Sequence, residues 1–304
     1  GVYSPCKSFF QGIKLVTIIN GKEISLQIRS EIAKAVKAIT DTGAPPPGLA
    51  VIIVGDSKAS QVYVAAKKKA CEQAGFYSLE IILPAETTQS QLLQKIDDLN
   101  NDGNIHGILI QLPLPSQINE SAILEAISTD KDVDCFNPKN FGYLNLGADC
   151  LLPCTPAGAL ELLKRYQIPI EGKNALVVGR SNIVGKPMAS LLTRENATVT
   201  IAHSRTKNLP ELCANSDIIV AAIGKPEFIK GAWIKKDCVV VDVGTNSVDD
   251  PTSPKGYRLV GDVEYNEAAK RASYITPVPG GVGPMTIAML LSNTLRARNK
   301  LHKK

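Results

Sequence analysis

The chain has 304 residues, of which 44% are hydrophobic and 21% are charged, with a formal net charge of +5. This length predicts about two domains, and the composition is that of an ordinary globular protein. No run of about 18 apolar residues occurs, which argues against a membrane span. The weak positive charge argues against a nucleic-acid surface, which concentrates Lys and Arg more strongly; it fits anionic small ligands.

The seven cysteines are scattered and odd in number. They form no CxxC pair or disulfide framework, so we expect free thiols in a reducing compartment. The three histidines are too dispersed for a local metal motif, and we predict no metal site. Residues 1–14 lack the basic start and continuous apolar stretch of a signal peptide; they fit a processed terminus, an extension or a cloning remnant.

Strands and helices alternate through the first half of the chain. Continuous apolar runs, such as residues 49–55, are typical of strands that are buried on both faces. The predicted elements are helices over 23–39, 60–69 and 90–101 and strands over 49–55, 77–83 and 107–111. This alternation predicts a parallel sheet with crossover helices.

The predicted helix over 60–69 carries polar groups at helical spacing. Residues three and four apart share a helix face, so Ser60, Tyr63 and Lys67 form one side. The predicted core-facing side contains Val62, Ala66 and Ala70. Gly75 is the stop signal for this helix.

The lysine run over 67–69 has two readings. Such a run is usually a solvated helix face, but Lys67 differs from its neighbours because it shares a face with Tyr63. Lysine transfers protons well near neutral pH only when its pKa falls from about 10.4, which burial can cause. The free energy needed to lower the pKa of a lysine by burial is tolerated where function needs it.

Two further polar residues could join Lys67. Ligands bind outside the carboxyl ends of parallel strands, where Gln111 ends the strand over 107–111 and can accept a hydrogen bond from Lys67. A water-facing glutamine is the alternative. Asp134, in the loop over 131–136, can accept hydrogen bonds from an amino-heterocycle, or it can cap a turn.

The second half begins near residues 153–156 and contains a strand, a glycine turn and a helix. The strand over 174–178 leads into the turn over 179–187, and a helix follows through residue 192. Free amides and the helix dipole bind phosphate in such an arrangement. The glycine spacing is not a clean GxGxxG, because Ser181 and Gly185 interrupt it.

The next strand, over 198–202, indicates which dinucleotide is bound. An acidic residue at its end would bind the ribose of NAD, but Ser204 and Arg205 stand there. Together with Arg180, a hydroxyl and guanidinium groups suit a 2′-phosphate. We therefore predict NADP; arginines on a plain solvent surface are the alternative.

The remaining predicted elements complete an α/β pattern. Further strands are predicted over 217–223, 239–243 and 274–276. Asp262 lies between the last two of these strands, in the short segment over 261–263. A stiff Gly- and Pro-rich loop over 277–284 precedes a final helix over 285–299. That loop is either a connector or a cover for the junction between the domains.

Several segments, taken together and in this order, resemble the bifunctional methylenetetrahydrofolate dehydrogenase/methenyltetrahydrofolate cyclohydrolases. The similarity extends from about residue 15 to the C-terminus. The matching segments cover residues 63–67, 111–115, 131–134, 153–158, 179–187 and 277–286.

The resemblance implies a two-domain α/β fold. Residues 1–157 and 285–304 would form a folate-binding catalytic domain, and residues 158–284 a Rossmann-type NADP-binding domain. The last helix would return to the first domain. The resemblance also implies tetrahydrofolate derivatives as substrates, a homodimer without nucleic-acid or membrane partners, and a cytoplasmic location, with an organelle matrix as the alternative.

The resemblance also implies roles for individual residues. Lys67 would transfer protons in the cyclohydrolase step, Tyr63 would pack against folate, Gln111 would interact with Lys67, and Asp134 would bind the pterin. The implied substrate-binding residues are Tyr63, Val64, Ala65, Ala66, Lys67, Ile110, Gln111, Leu112, Asp134, Pro279, Gly280, Gly281, Val282 and Gly283. The implied cofactor-binding residues are Gly179, Arg180, Ser181, Ser204, Arg205 and Thr245.

Three positions depart from the family pattern. Cys135 replaces a glycine, Thr245 replaces an isoleucine, and Asn20 replaces an aspartate expected in the first strand. None of them removes a proposed catalytic group. Three other readings stay open: a dehydrogenase of hydroxy or amino acids on the same architecture, a non-enzymatic NADP sensor, and a dehydrogenase that has lost the hydrolase step.

Overall fold

A computed structural model describes residues 16–55 and 58–302, with side chains along the helix that begins at Lys58 described from Tyr63 onward. The expectations for residues 1–14, and those for the side chains of Ser60 and Val62, lie outside the described residues. No helix in the described ranges has the length and apolar character needed to cross a bilayer.

The first lobe is built on a three-stranded parallel sheet in the order β3-β2-β4. All seven residues of its central strand β2 are buried, as a strand covered on both faces requires. In chain order, the elements of this part of the chain are β1 (Thr17–Ile18), which pairs in the sheet of the second lobe, α1 (Gly21–Thr40), β2 (Gly48–Val54), α2 (Lys58–Ala74), β3 (Tyr77–Leu83), α3 (Gln89–Asn101), β4 (Gly107–Ile110), α4 (Glu120–Ala126), α5 (Pro138–Asn145) and α6 (Cys154–Arg165).

The second lobe contains a six-stranded sheet in the order β1-β11-β8-β7-β5-β6, in which the paired strands are parallel. An antiparallel hairpin, β9–β10, lies outside this sheet. The elements are β5 (Asn174–Val178), α7 (Gly185–Arg194), β6 (Thr198–Ala202), α8 (Leu209–Ala214), β7 (Ile218–Ala221), β8 (Val239–Asp242), β9 (Asn246–Asp249), β10 (Tyr257–Val260), α9 (Tyr265–Ala269), β11 (Tyr274–Ile275) and α10 (Gly283–Leu301).

Strand β1 links the two lobes in a way that the sequence did not predict. Thr17 pairs with Tyr274 and Ile18 with Ile275, so the segment just before α1 belongs to the second sheet, while α1 itself packs in the first lobe. Asn20 lies just after this strand and caps α1, accepting a hydrogen bond from the Glu23 amide at 3.1 Å. The expected placement of Asn20 within the strand is therefore wrong.

The last helix, α10, packs against α1 and α6 of the first lobe. The contact with α6 is close, since a β-carbon on Gly158 would lie 2.7 Å from the Met285 Cβ atom. Buried residues of α1, α6, α7 and α10 belong to one hydrophobic cluster, so the two lobes share part of their core. This arrangement agrees with the expected return of the last helix.

The buried face of α2 differs from the predicted one. Val64, Ala70, Cys71 and Ala74 are buried, whereas Ala66 is exposed. The expectation that Ala66 faces the core is wrong, although that for Ala70 is confirmed. The side of α2 that packs inward carries Val64 in place of Ala66. The spacing of Tyr63 and Lys67 on one face is unaffected.

Candidate active site

Lys67 and Gln111 meet although they are far apart in sequence. Lys67 is half-buried on α2, and its Nζ atom donates a hydrogen bond to Gln111 Oε1 at 3.0 Å. The Gln111 amide nitrogen donates to the Leu112 carbonyl at 3.1 Å, which fixes the side-chain orientation that offers oxygen to the lysine. The expected contact between Lys67 and Gln111 is therefore present, at the carboxyl end of β4.

Tyr63 lies one helical turn before Lys67. Its side chain is 63% exposed, which is unusual for a large aromatic residue that serves only packing. An exposed phenol ring beside a half-buried amine offers a flat surface on which a planar ligand can stack.

Asp134 completes a cluster with Lys67. Burial raises the pKa of the Asp134 carboxyl above its ordinary value, while the Lys67 charge and a hydrogen bond from the Cys154 thiol act in the opposite direction. Burial and the Asp134 charge also raise the pKa of Cys154 well above the usual thiol value. Cys154 therefore stays protonated and can donate to the carboxylate.

Asp134 differs from its neighbours in the segment over 131–134. Lys131 Nζ donates to the carbonyl oxygens of Leu99 and Asp102, at 2.9 and 2.8 Å. Asp132 is 2% exposed; it accepts from the backbone amides of Phe136 and Asn137 and from the Asn140 side chain. The charged groups of Lys131 and Asp132 therefore stabilise the loop itself. Asp134 is the charged residue of this segment that interacts with Lys67.

Two residues that the sequence reasoning did not single out support this loop. The Asn293 side chain, on α10, donates to the carbonyl oxygens of Val133 and Leu152 at 2.8 and 2.7 Å. Cys154 Sγ lies 3.3 Å from the Val133 carbonyl. No local pattern marks Asn293, because its partners lie about 140–160 residues away.

Cys135 occupies a backbone conformation that favours glycine. Its φ angle is +59°, in the left-handed region that costs residues with a β-carbon about 1 kcal/mol. Its thiol is buried and contacts the Leu151 carbonyl at 3.1 Å. The glycine expected from the family pattern therefore has a physical reason, and the loop keeps the left-handed turn with cysteine in its place.

The loop over 277–283 reaches the start of α1. The Lys22 amide donates to the Gly280 carbonyl at 3.0 Å, and a β-carbon on Gly21 would overlap the Gly281 carbonyl oxygen. Gly280 has a φ of +102°, which a residue with a β-carbon rarely adopts. The loop is thus held closely against the start of α1.

Several residues in the expected substrate-binding set have side chains in the core. Val64 and Val282 are each 2% exposed and Ile110 is 3% exposed. These side chains therefore pack in the core beneath the site and do not offer a surface to a ligand. Ala65, Ala66, Pro279 and Gly283 are exposed, and Leu112 is half-buried.

A cavity of about 410 Å³ lies between the lobes. Leu112 and Cys135 contribute to its lining from the Gln111 side, while Asn182 and Ile183 contribute from the glycine turn. The end of β4 in the first lobe therefore faces the turn that follows β5 in the second.

That glycine turn allows a very close backbone approach. Gly179 has a φ of +129°, and β-carbons on Gly179 and Gly185 would overlap the carbonyl oxygens of Ala222 and Gly179, respectively. Ser181 Oγ accepts hydrogen bonds from the amides of Val184 and Gly185, at 3.1 and 3.3 Å. The turn thus brings exposed backbone to the positive end of α7, the arrangement that binds phosphate.

The remaining residues of the expected cofactor site lie on neighbouring loops. Ser204 and Arg205 follow β6, Arg180 follows β5, and Thr245 follows β8; all four are exposed. The strand order places these loops along one edge of the sheet. Three strand ends are therefore available to a single extended ligand.

No cluster of three or more His, Cys, Asp or Glu side chains that could hold a metal ion occurs within residues 16–55 and 58–302. The six cysteines in these ranges, 71, 135, 150, 154, 213 and 238, are free and buried.

Comparisons with known proteins agree with this geometry. The family described as tetrahydrofolate dehydrogenase/cyclohydrolase matches residues 19–134 with its catalytic domain and residues 153–302 with its NAD(P)-binding domain. The chain is 53% identical to bifunctional protein FolD 4, chloroplastic, from Arabidopsis thaliana, over 94% of this chain and 80% of that protein. It is also 53% identical to bifunctional protein FolD from Chlorobium phaeobacteroides (strain BS1), over 94% and 98%.

Solved structures give the same result. The bifunctional enzyme FolD, methylenetetrahydrofolate dehydrogenase/cyclohydrolase, from Campylobacter jejuni superimposes with a TM-score of 0.89 at 47% identity, covering 94% of this chain and 99% of that one. The Trypanosoma brucei methylenetetrahydrofolate dehydrogenase-cyclohydrolase, complexed with NADP cofactor and inhibitor, has a TM-score of 0.89 at 42% identity, covering 95% and 99%. The chain therefore belongs to the tetrahydrofolate dehydrogenase/cyclohydrolase family, with a catalytic domain followed by an NAD(P)-binding domain.

Proposed function

We propose that this chain oxidises 5,10-methylenetetrahydrofolate to 5,10-methenyltetrahydrofolate with NADP⁺ and hydrolyses the product to 10-formyltetrahydrofolate. The observation that carries the proposal is the 3.0 Å hydrogen bond between Lys67 Nζ and Gln111 Oε1, beside Asp134. An oxidation that needs only positioning has no use for such an oriented amine, whereas hydrolysis requires proton transfer.

The first lobe would hold the folate. Tyr63 offers its exposed ring to the planar part of the substrate, and Asp134 accepts hydrogen bonds from the amino-heterocycle of the pterin. The loop over 279–283 forms the facing wall. These contacts orient the carbon that bridges the two folate nitrogens toward the second lobe.

The second lobe fits NADP. The exposed backbone of the glycine turn would bind a pyrophosphate at the positive end of α7, while Arg180, Ser204 and Arg205 offer cationic and hydroxyl groups to a 2′-phosphate. When bound, NADP⁺ supplies an acceptor for the hydride of the methylene carbon. The residues of the chain bind and orient both molecules for this step and need donate no proton.

Hydrolysis would proceed through Lys67. Water adds to the methenyl carbon, and the neutral amine form of Lys67 accepts one of the water protons at Nζ, becoming an ammonium. The second water proton moves to N5 as the carbonyl forms and the bond between that carbon and N5 breaks, which leaves the formyl group on N10. Gln111 keeps the Lys67 amine oriented during these transfers.

A coupled assay tests the proposal. The purified chain is supplied with 5,10-methylenetetrahydrofolate and NADP⁺, and NADPH formation and methenyl absorbance are followed together. We expect NADPH to form while 10-formyltetrahydrofolate accumulates. NADP⁺ binding without folate turnover would indicate the sensor reading, turnover of hydroxy or amino acids alone would indicate the other dehydrogenases, and methenyl-folate as the final product would refute the hydrolase role.

We also propose that the chain is a homodimer. Strand β6 is at the edge of its sheet, and the apolar side chains Leu146 and Ile201, both lining one cavity near that edge, are 82% and 40% exposed. Exposed edges and apolar patches of this kind are commonly covered by a partner. We propose a cytoplasmic location, with an organelle matrix as the alternative because one relative is chloroplastic.

Light scattering on variants tests the dimer. Leu146→Glu and Ile201→Glu should shift the protein toward monomers, because each buries a charge in the proposed contact. Leu26→Glu, at a 56% exposed position on α1, is the control and should leave the mass unchanged. A wild-type protein that is monomeric at micromolar concentration contradicts the proposal.

A further inference from the structure

A single buried carboxylate joins the loops that follow two neighbouring strands. Asp262 has no exposed surface. Its side chain accepts hydrogen bonds from the backbone amides of Ile223, Gly224 and Lys225, at 2.6, 3.0 and 3.0 Å, after β7. It also accepts from Asn246 Nδ2, after β8, at 2.9 Å. One side chain thereby fixes both loops relative to each other.

The position of these loops along the sheet edge suggests what they serve. The strand order β8-β7-β5-β6 places the loop over 222–225 between the glycine turn and Thr245. A β-carbon on Gly179 would overlap the Ala222 carbonyl oxygen, so this loop packs directly on the turn. If the β6 end holds the 2′-phosphate and the turn holds the pyrophosphate, the loops after β7 and β8 meet the nicotinamide half.

The backbone around Asp262 is shaped to receive its carboxylate. A β-carbon on Gly244 would overlap Asp262 Oδ1, and one on Gly261 would overlap Asp242 Oδ2. Asp242 is 4% exposed, and it accepts from the amides of Gly244, Asp262 and Val263 at 2.8–3.0 Å. The two aspartates form one buried network, in which Asp242 holds Asp262 and Asp262 holds the loops.

The four donors to Asp262 require a carboxylate. An asparagine has one acceptor oxygen, and its amide nitrogen would face N–H groups. Leaving buried donors unpaired is unfavourable, and movement of the loops would relieve this penalty by letting the donors find other acceptors. Asp262→Asn should therefore displace the loops rather than merely weaken one contact.

We propose that Asp262 is a positioning residue that aligns the nicotinamide half of the dinucleotide by holding the loops over 222–225 and 244–246. The inference rests on the proposed NADP-dependent function. Asp262 contacts backbone and Asn246, so it acts on the cofactor only through these loops. Recognition of the 2′-phosphate after β6 and hydrolysis at Lys67 do not depend on it.

Calorimetry with two ligands separates this role from general destabilisation. NADP⁺ contains both halves of the dinucleotide, whereas adenosine 2′,5′-bisphosphate contains only the adenine and 2′-phosphate half. For Asp262→Asn we expect NADP⁺ affinity to fall at least about tenfold, as loss of charged hydrogen bonds implies. Affinity for adenosine 2′,5′-bisphosphate and the cyclohydrolase rate on methenyl-folate should stay within about twofold of wild type.

The control is Asp217→Asn, at the start of β7. Asp217 also accepts from a backbone amide, that of Asn174, and pairs with Lys235, but it lies at the other end of the sheet. This variant should leave both affinities unchanged. If Asp262→Asn does not fold, Asn246→Ala removes one of the four donors and should weaken NADP⁺, but not the bisphosphate, about threefold.

Equal losses for both ligands in the Asp262 or Asn246 variants, or no loss for either, would overturn the inference. A failure of the proposed function would look different. Wild-type protein would then bind NADP⁺ without oxidising folate, and the contrast between the two ligands could still be measured.

Discussion

Replacing Gln111 with methionine removes the oxygen that holds Lys67 while keeping the length of the side chain. Lys67 Nζ is 3.0 Å from Gln111 Oε1, and hydrogen bonds to charged groups contribute about 1.5–3 kcal/mol. If this contact orients the amine in the transition state, Gln111→Met should lower kcat/KM for methenyl-folate hydrolysis by about 10- to 150-fold. NADP⁺ affinity should stay within about twofold, because the cofactor residues are on the other lobe.

The assay for this variant follows the loss of methenyl absorbance directly, without the dehydrogenase step. Gln117→Met is the matched control, since Gln117 also donates to backbone carbonyls, but those of Ala85 and Thr87 in the segment between β3 and α3. It should hydrolyse methenyl-folate at the wild-type rate. A Gln111→Met enzyme with wild-type kcat/KM would refute the orienting role of Gln111.

Two further predictions concern the cofactor and the pH dependence of stability. Replacing Arg180 and Ser204 together by alanine should weaken NADP⁺ more than tenfold but NAD⁺ less than twofold in calorimetry, as loss of charged contacts to a 2′-phosphate requires; equal losses would contradict that role. Burial, with the charges of His302, Arg298 and Lys131, lowers the pKa of His106 to about 4. Between pH 6.5 and 4 the unfolded chain therefore binds a proton that the native chain does not, and the free energy of unfolding should fall by about 3 kcal/mol on acidification. Denaturant titration should show this loss reduced in His106→Asn, which keeps an acceptor for the Gly48 amide; identical pH slopes would contradict it.

Sequence patterns located the long elements because each buries its own apolar run. The strands β3, β5 and β6 begin and end at the predicted residues, β2 begins and ends one residue earlier than predicted, and β4 ends one residue earlier. Short helices such as α4, α8 and α9, and the hairpin β9–β10, were not predicted, since they are too short to show a helical or alternating period. Strand β1 depends on pairing with β11, a tertiary contact that two residues cannot encode.

The site was partly predictable for a similar reason. Tyr63 and Lys67 share a helix face, which spacing alone predicts. The position of Gln111 at the carboxyl end of its strand made it a candidate partner of Lys67, and the resemblance implied the same contact. The support that Asn293 provides, and the contact between Cys154 and Asp134, join distant segments of the chain. Such contacts arise from the packing of α6 and α10 and leave no local pattern.

The central claim is that Lys67 performs the hydrolytic step while the second lobe supplies the oxidant. The most direct test is one progress curve with Lys67→Met, supplied with 5,10-methylenetetrahydrofolate and NADP⁺, beside the control Lys68→Met at the adjacent exposed position. We predict that the Lys67 variant forms NADPH with an equal amount of methenyl-folate that then persists, while the control goes on to the formyl product, since loss of a proton-transfer group costs about 10²- to 10⁴-fold. Formation of 10-formyltetrahydrofolate by the Lys67 variant at the wild-type rate would contradict the account.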